Sequence, residues 1–132
     1  MSRIETRESV VIFIYQATFK DISYEEQFDQ YIALNEELTD DIEYFKTVTR
    51  GVLEKKKELD EKISGFLKKW TINRLPRMDV AILETACYEI LYVDDVPTSV
   101  AINEAVKLSK KYGTPDSSSY VNGVLSSFEK SL

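Results

Sequence analysis

Apolar residues recur along this chain at intervals of three and four, the spacing of one face of an α-helix. A first helix is predicted from about Ser2 to Phe19, with Ile4, Val11, Ile14, Tyr15 and Thr18 on one side. Val10, Ile12 and Phe13 widen that strip, which implies burial on more than one side. A second helix fits "SYEEQFDQYIALN", where Ser23 and Glu26 match a capping box. A third begins in "LTDDIEYF", capped by Thr39 or Asp40 with Glu43 closing the box, and its stripe continues through Ile42, Phe45, Val48, Val52 and Leu59. Gly51 falls inside that stripe; glycine there costs about 1 kcal/mol relative to alanine, so a close helix crossing is expected to offset it. Leu59, Ile63, Phe66, Leu67 and Trp70 extend the period as a fourth helix or a bent continuation, with Gly65 as an interruption.

"TINRLP" breaks the pattern, and Pro76 suits the first turn of the next helix, where a missing N–H costs nothing. That helix carries Val80, Leu83, Ala86, Cys87, Ile90 and Leu91, broadened by Ala81 and Ile82, and is the most apolar and most central. Pro97 opens a further helix that Gly113 terminates. Asp116 is expected to cap a last one bearing Tyr120, Val121, Val124, Leu125 and Phe128.

Composition agrees with an all-α class. Only 4 Gly and 3 Pro in 132 residues are too few for the turns of a sheet protein, and a 43% hydrophobic content can supply a core. One domain is the simplest reading of this length. A single cysteine forms no internal disulfide and fits a reducing compartment; in "LETACYEIL" Cys87 reads as a buried thiol. The charged start "MSRIETRESV" and the short apolar run "VVIFIY" resemble neither a secretory leader nor a membrane span, so a cytoplasmic location is expected.

The net charge of -6 is unevenly spread. Residues 21–45 hold nine acids and no Lys or Arg, and the remainder carries 17 bases against 14 acids. Lys62, Lys68, Lys69, Arg74 and Arg77 follow one another without an intervening acid, as do Lys107, Lys110 and Lys111. Such segregation allows a basic face for nucleic acid beside an acidic one, or two solvated faces with no ligand. Arg3 and Arg7, four apart near a helix start, oppose the helix dipole by about 0.3–1 kcal/mol each. Either they meet phosphate or they pair locally with Glu5 or Glu8.

Catalytic chemistry is hard to find. With no histidine there is no His-based triad or imidazole ligand, the acids lack calcium-loop spacing, and no Gly-rich phosphate loop occurs. We expect no enzyme activity, no metal and no cofactor. Asn103 and Asn122, flanked by apolar residues, either bond a neighbouring helix end or face a partner. Tyr15, Phe66, Trp70 and Tyr120 are aromatics near bases that would stack unpaired nucleobases, or else core residues.

The stretch "LPRMDVAILETACYEILYVDDVPTSVAINEAVKLSKKYG", followed by "SSSYVNGVL", resembles the NusB family of bacterial transcription antitermination factors. The likeness extends over essentially the whole chain, weakest over 21–38 and strongest over 75–125. It implies two packed three-helix bundles plus one further helix, with sub-bundles of approximately 1–72 and 73–132. It also implies binding to single-stranded boxA RNA together with NusE, a small-subunit ribosomal protein. That pair supports readthrough by RNA polymerase within an antitermination complex in ribosomal RNA operons.

On this resemblance Arg3, Arg7, Tyr15, Phe66, Lys111 and Tyr120 are the expected RNA residues, and Asp79, Leu83 and Asp116 the expected NusE-facing ones. Compared with the family's longer arginine run, "MSRIETRE" has two arginines and two glutamates, so intrinsic RNA affinity is expected to be low, with NusE supplying positive surface. Two alternatives accompany the resemblance. One is a homodimer that covers the RNA surface. The other is the RNA-binding module of an rRNA-modifying system, since a similar fold precedes certain rRNA cytosine methyltransferase domains; here the chain ends at "SFEKSL".

Overall fold

The computed structural model describes residues 1–68 and 71–132, so the expected roles of Lys69 and Trp70 lie outside the described residues. Among those described there are seven α-helices and no strand: α1 (Arg3–Ala17), α2 (Tyr24–Leu34), α3 (Ile42–Glu54), α4 (Lys56–Ser64), α5 (Arg77–Tyr92), α6 (Thr98–Tyr112) and α7 (Ser117–Lys130). Helices α1 to α3 form one bundle and α5 to α7 the other, with α4 laid against α5, as the all-α expectation required.

Local chemistry explains most of the boundaries. Ser2 Oγ accepts from the Glu5 amide at 3.2 Å while the Glu5 carboxylate accepts from the Ser2 amide at 3.1 Å, a complete capping box. Ser23 accepts from the Glu26 amide at 3.1 Å and starts α2. Pro76 and Pro97 each stand immediately before the first helical residue of α5 and α6.

The start of α3 differs from expectation. Residues Glu36–Asp41 form a 3-10 segment, and α3 begins at Ile42 without a side-chain cap. Leu38, wholly buried, pulls this segment onto the core. The residues expected to cap α3 are engaged elsewhere: Thr39 donates its hydroxyl to the Glu36 carbonyl at 3.0 Å and Asp40 takes the Met1 ammonium at 3.2 Å, while Asp41, which stands at the cap position, takes Arg3. The stripe after Val52 also breaks, because Lys55 (φ -105°, ψ 16°) leaves helical geometry between α3 and α4. Helix α4 stops at Gly65, so Phe66 reaches the core from a loop and packs edge-on against Phe128, ring centroids 5.9 Å apart.

Helix α5 is the hub: every residue from Asp79 to Glu89 is buried, and α1, α3, α4, α6 and α7 all pack on it. Cys87 lies fully buried there, as anticipated, and burial pushes its thiol up to about 12. In the first bundle Phe13 meets Tyr24, Tyr31 and Phe45 edge-on at 5.4–5.6 Å, an aromatic centre joining α1, α2 and α3. Both bundles contribute to one continuous apolar core.

The close crossing inferred from Gly51 is present: a Cβ at that position would run into the ring of Tyr88 on α5. Gly51→Ala should therefore destabilise the protein by about 1–3 kcal/mol, because overpacking outweighs the gain in helix propensity. Urea denaturation followed by circular dichroism measures this, and a stabilised variant would show that the crossing yields freely.

Candidate nucleic-acid interface

The two amino-terminal arginines have different fates. Arg3 remains 43% exposed at its side chain. Its Nε and Nη2 donate to the two oxygens of Asp41 at 2.8 and 3.2 Å, and its guanidinium lies 4.0 Å from the centroid of the Tyr44 ring. The Asp41 hydrogen bond raises its pKa further.

Arg7 corrects the sequence reading in both of its forms. It is only 4% exposed, so it presents no guanidinium to a phosphate, and its partner is neither Glu5 nor Glu8. Its Nε and Nη2 donate to Glu89 on α5 at 2.8 and 3.0 Å, and the Tyr44 hydroxyl donates to the same carboxylate at 2.9 Å. Burial alone would lower the Arg7 pKa, but the Glu89 hydrogen bonds and charge outweigh it and the net shift is upward.

Glu8, the next residue along α1, points towards α6. It pairs with Lys111 Nζ at 2.6 Å and also accepts the hydroxyl of Tyr112. Partial burial would raise the Glu8 pKa, yet these two donors bring it below its ordinary value. Lys111 stays 61% exposed, with its pKa raised by Glu8. Along α1, Glu8, Ile12 and Tyr15 follow helical spacing on the half-open face, and Phe19 continues that spacing in the turn after the helix, open to solvent. Tyr15 is half-buried and meets Phe19 edge-on at 5.1 Å, with Phe19 65% exposed. Phe19 was not among the residues expected at an RNA surface, although its position four after Tyr15 was a readable signal.

A groove of about 620 Å³ opens between the segment after α4 and the outer face of α7. Phe66, Leu75, Tyr120 and Val124 give it apolar walls; Lys68, Asp116, Ser119 and Ser127 line it with polar groups. Gly123 also lines it, and unlike Gly51 it meets no other described residue where a Cβ would stand. The triplet Gly-Val-Leu occurs in both α3 (51–53) and α7 (123–125), at a tight crossing in the first and on the groove wall in the second.

Asp79 and Leu83, expected to face NusE, are both fully buried, which corrects that assignment. Leu83 belongs to the core. Asp79 sits beneath the groove, where Ser117 Oγ donates to its Oδ2 at 2.8 Å and the Tyr120 hydroxyl donates to the same oxygen. Burial first, and the Asp79 hydrogen bond next, push the Tyr120 hydroxyl's pKa upward. Asp116 is exposed at the groove but makes no cap; instead Ser117 Oγ accepts from the Thr114 amide at 2.9 Å. Asn103 and Asn122 are both exposed, so neither is the buried amide that the apolar flanks suggested.

The charge split takes physical form here. Three acids of the 21–45 stretch hold cations: Glu25 takes Arg50 at 2.5 Å, Asp40 the amino terminus and Asp41 Arg3. Lys68, Arg74 and Arg77 are exposed, and among the described residues none has a carboxylate within ion-pair distance. Lys68 lines the groove, and Arg74 and Arg77 flank the segment that contributes Leu75. The described residues contain no group of three His, Cys, Asp or Glu side chains placed to hold a metal ion.

Known proteins resemble this chain along nearly its full length. It is 38% identical over 132 residues to the transcription antitermination protein NusB of Bacillus subtilis (strain 168), covering 100% of this chain and 98% of that protein. With the protein of the same name from Clostridium botulinum (strain Kyoto / Type A2) it shares 37% identity over 139 residues, covering 95% and 97%. The solved structure of T. maritima NusB superposes with a TM-score of 0.86 at 32% identity, covering 98% of this chain and 92% of that one. A NusB chain crystallised with NusE and double-stranded RNA shares the fold at a TM-score of 0.84 and 24% identity, with full coverage of both chains. The NusB family model matches residues 4–130. Its sequence likeness, its helical arrangement and its near-complete coverage agree: the chain belongs to the NusB family.

Proposed function

We propose that this chain is a non-catalytic transcription antitermination factor of the bacterial cytoplasm. In this reading it binds boxA RNA together with NusE and supports readthrough by RNA polymerase in ribosomal RNA operons. Full-length relatives carry the antitermination name, and a protein of the same fold has been crystallised with NusE and RNA. No helix among the described residues is long and apolar enough to cross a membrane, which accords with a location beside the polymerase.

The observation that carries the RNA reading is the groove, with aromatic walls at Phe66 and Tyr120, the cation Lys68 in its lining, and the exposed cations Arg74 and Arg77 flanking its Leu75 in the chain. Unpaired bases stack on aromatic rings while their phosphates need cations outside the stack, and stacking is worth about 1–3 kcal/mol per base. We add the exposed edge of Tyr15 and Phe19 as a second stacking surface and keep Arg3 and Lys111 as phosphate contacts. For NusE we retain exposed Asp116, where a carboxylate would steer a basic ribosomal protein.

Fluorescence anisotropy with boxA RNA and a scrambled single strand, each with and without NusE, tests the proposal. Tight binding of boxA in the presence of NusE is expected. If about four phosphates are neutralised, the log–log salt slope should be near -3. Equal affinity for boxA and scrambled RNA with NusE present would overturn the reading.

A further inference from the structure

We propose that Glu8 and Asp41 are internal substitutes for RNA phosphate, which hold Lys111 and Arg3 in the free protein and set how tightly a strand must bind to displace them. This inference rests on the RNA-binding reading and assigns that surface two affinity-limiting residues. The geometry is that of an anion site already filled. Asp41 grips the Arg3 guanidinium with both oxygens at 2.8 and 3.2 Å, the bidentate fit by which arginine also recognises phosphate. Tyr44 lies under the guanidinium and fixes its plane. Glu8 meets Lys111 at 2.6 Å and is itself held by the Tyr112 hydroxyl, so the carboxylate has a partner of its own when the lysine leaves.

Burial separates these pairs from a purely structural one. Arg7 and Glu89 are 5% and 1% exposed at their side chains and cannot exchange partners with a solvent-borne strand. Arg3 and Lys111 are 43% and 61% exposed and their carboxylates Asp41 and Glu8 are 20% and 24% exposed; pairs whose cation is this open to solvent are worth roughly 1 kcal/mol, weak enough for a phosphate to compete. Two other carboxylates of these helices have partners of their own: Glu5 on α1 accepts from the Ser2 amide in the capping box, and Glu104 on α6 faces Lys107 at 3.5 Å. The acidic stretch therefore has a role at a distance from its own sequence, because the 3-10 segment that carries Asp40 and Asp41 delivers both to the start of α1.

The test measures boxA RNA affinity, with NusE present, for the wild type, Glu8→Gln and Asp41→Asn, each also combined with removal of its cation (Lys111→Gln or Arg3→Gln). Glutamine still accepts the Tyr112 hydroxyl, so only the negative charge is lost. Each single carboxylate variant should tighten binding about two- to five-fold at low salt, the range an exposed pair can contribute. Without its paired cation each variant should lose that gain. Glu5→Gln removes one charge from the same helix without releasing a cation, and should tighten binding less. A gain that persists without the cation, or one no larger than that of Glu5→Gln, overturns the inference and reduces the effect to net charge. Unchanged or weakened binding overturns it as well. If the wild type with NusE shows no preference for boxA over scrambled RNA, the underlying RNA reading is what fails.

Discussion

Arg7→Ala should cost about 3–5 kcal/mol of folding stability, the penalty for removing one partner of a buried ion pair. The loss comes less from the missing attraction than from what remains. Glu89, 1% exposed, would keep only the Tyr44 hydroxyl as a donor, with its charge uncompensated in the middle of the hub helix. Urea denaturation gives the number directly. Replacing both partners with apolar residues, as in Arg7→Met with Glu89→Leu, should recover most of the stability, since a buried pair seldom beats well-packed hydrophobic side chains. RNA affinity of folded Arg7→Ala should match the wild type, because Arg7 has no exposed surface to give a strand. A variant that loses RNA binding at unchanged stability would contradict the burial of this side chain.

Stability should also fall as the pH rises from about 5 to 8, through Glu84. Its side chain is 3% exposed on α5, and Lys56 Nζ sits 2.7 Å from it while also reaching Asp60 at 3.0 Å. Burial, and then the neighbouring Asp60 carboxyl, push the Glu84 pKa up to about 8, against the opposite pull of Lys56. Asp60 Oδ1 is buried without a donor when both carboxyls are ionised, and a proton on Glu84 relieves that conflict. The folded state thus keeps a proton that the unfolded chain releases above about pH 4.3. The associated stability is fully present below the unfolded pKa and is lost as the pH climbs through the folded one. At about 1.4 kcal/mol per pH unit the loss is on the order of 4 kcal/mol, lessened by the half-exposed Lys56. Glu84→Gln should flatten the dependence when unfolding free energies are measured at pH 5, 6.5 and 8. A wild-type profile already flat over that window would show that Glu84 ionises normally.

The residues that the sequence could and could not place differ in how far away their partners lie. Ser23, Pro76, Pro97 and Gly113 signal helix ends through contacts within a turn or two, and the observed helices start and stop beside them. The missed start of α3 had a distant cause: Asp40 and Asp41 bond to the amino terminus and Arg3, not to the helix that follows them. Among the candidate site residues, Phe66 and Tyr120 line one groove with Asp116, and Arg3 and Lys111 stay exposed. Arg7, Asp79 and Leu83 went inside. A charged residue on a helix start reads the same whether it meets water or a carboxylate from another helix.

By itself, then, the order of residues determined an all-helical chain, nearly all of its helix positions, its central apolar helix and its family pattern. Periodicity, capping and proline act over a few neighbouring residues, and a linear string contains all of them. Tertiary structure alone decided that Arg7 meets Glu89, that Glu8 meets Lys111, and that Gly51 is filled by Tyr88 while Gly123 lines a groove. Those outcomes depend on how each helix is rotated and crossed against another, which brings together side chains as far as 104 positions apart.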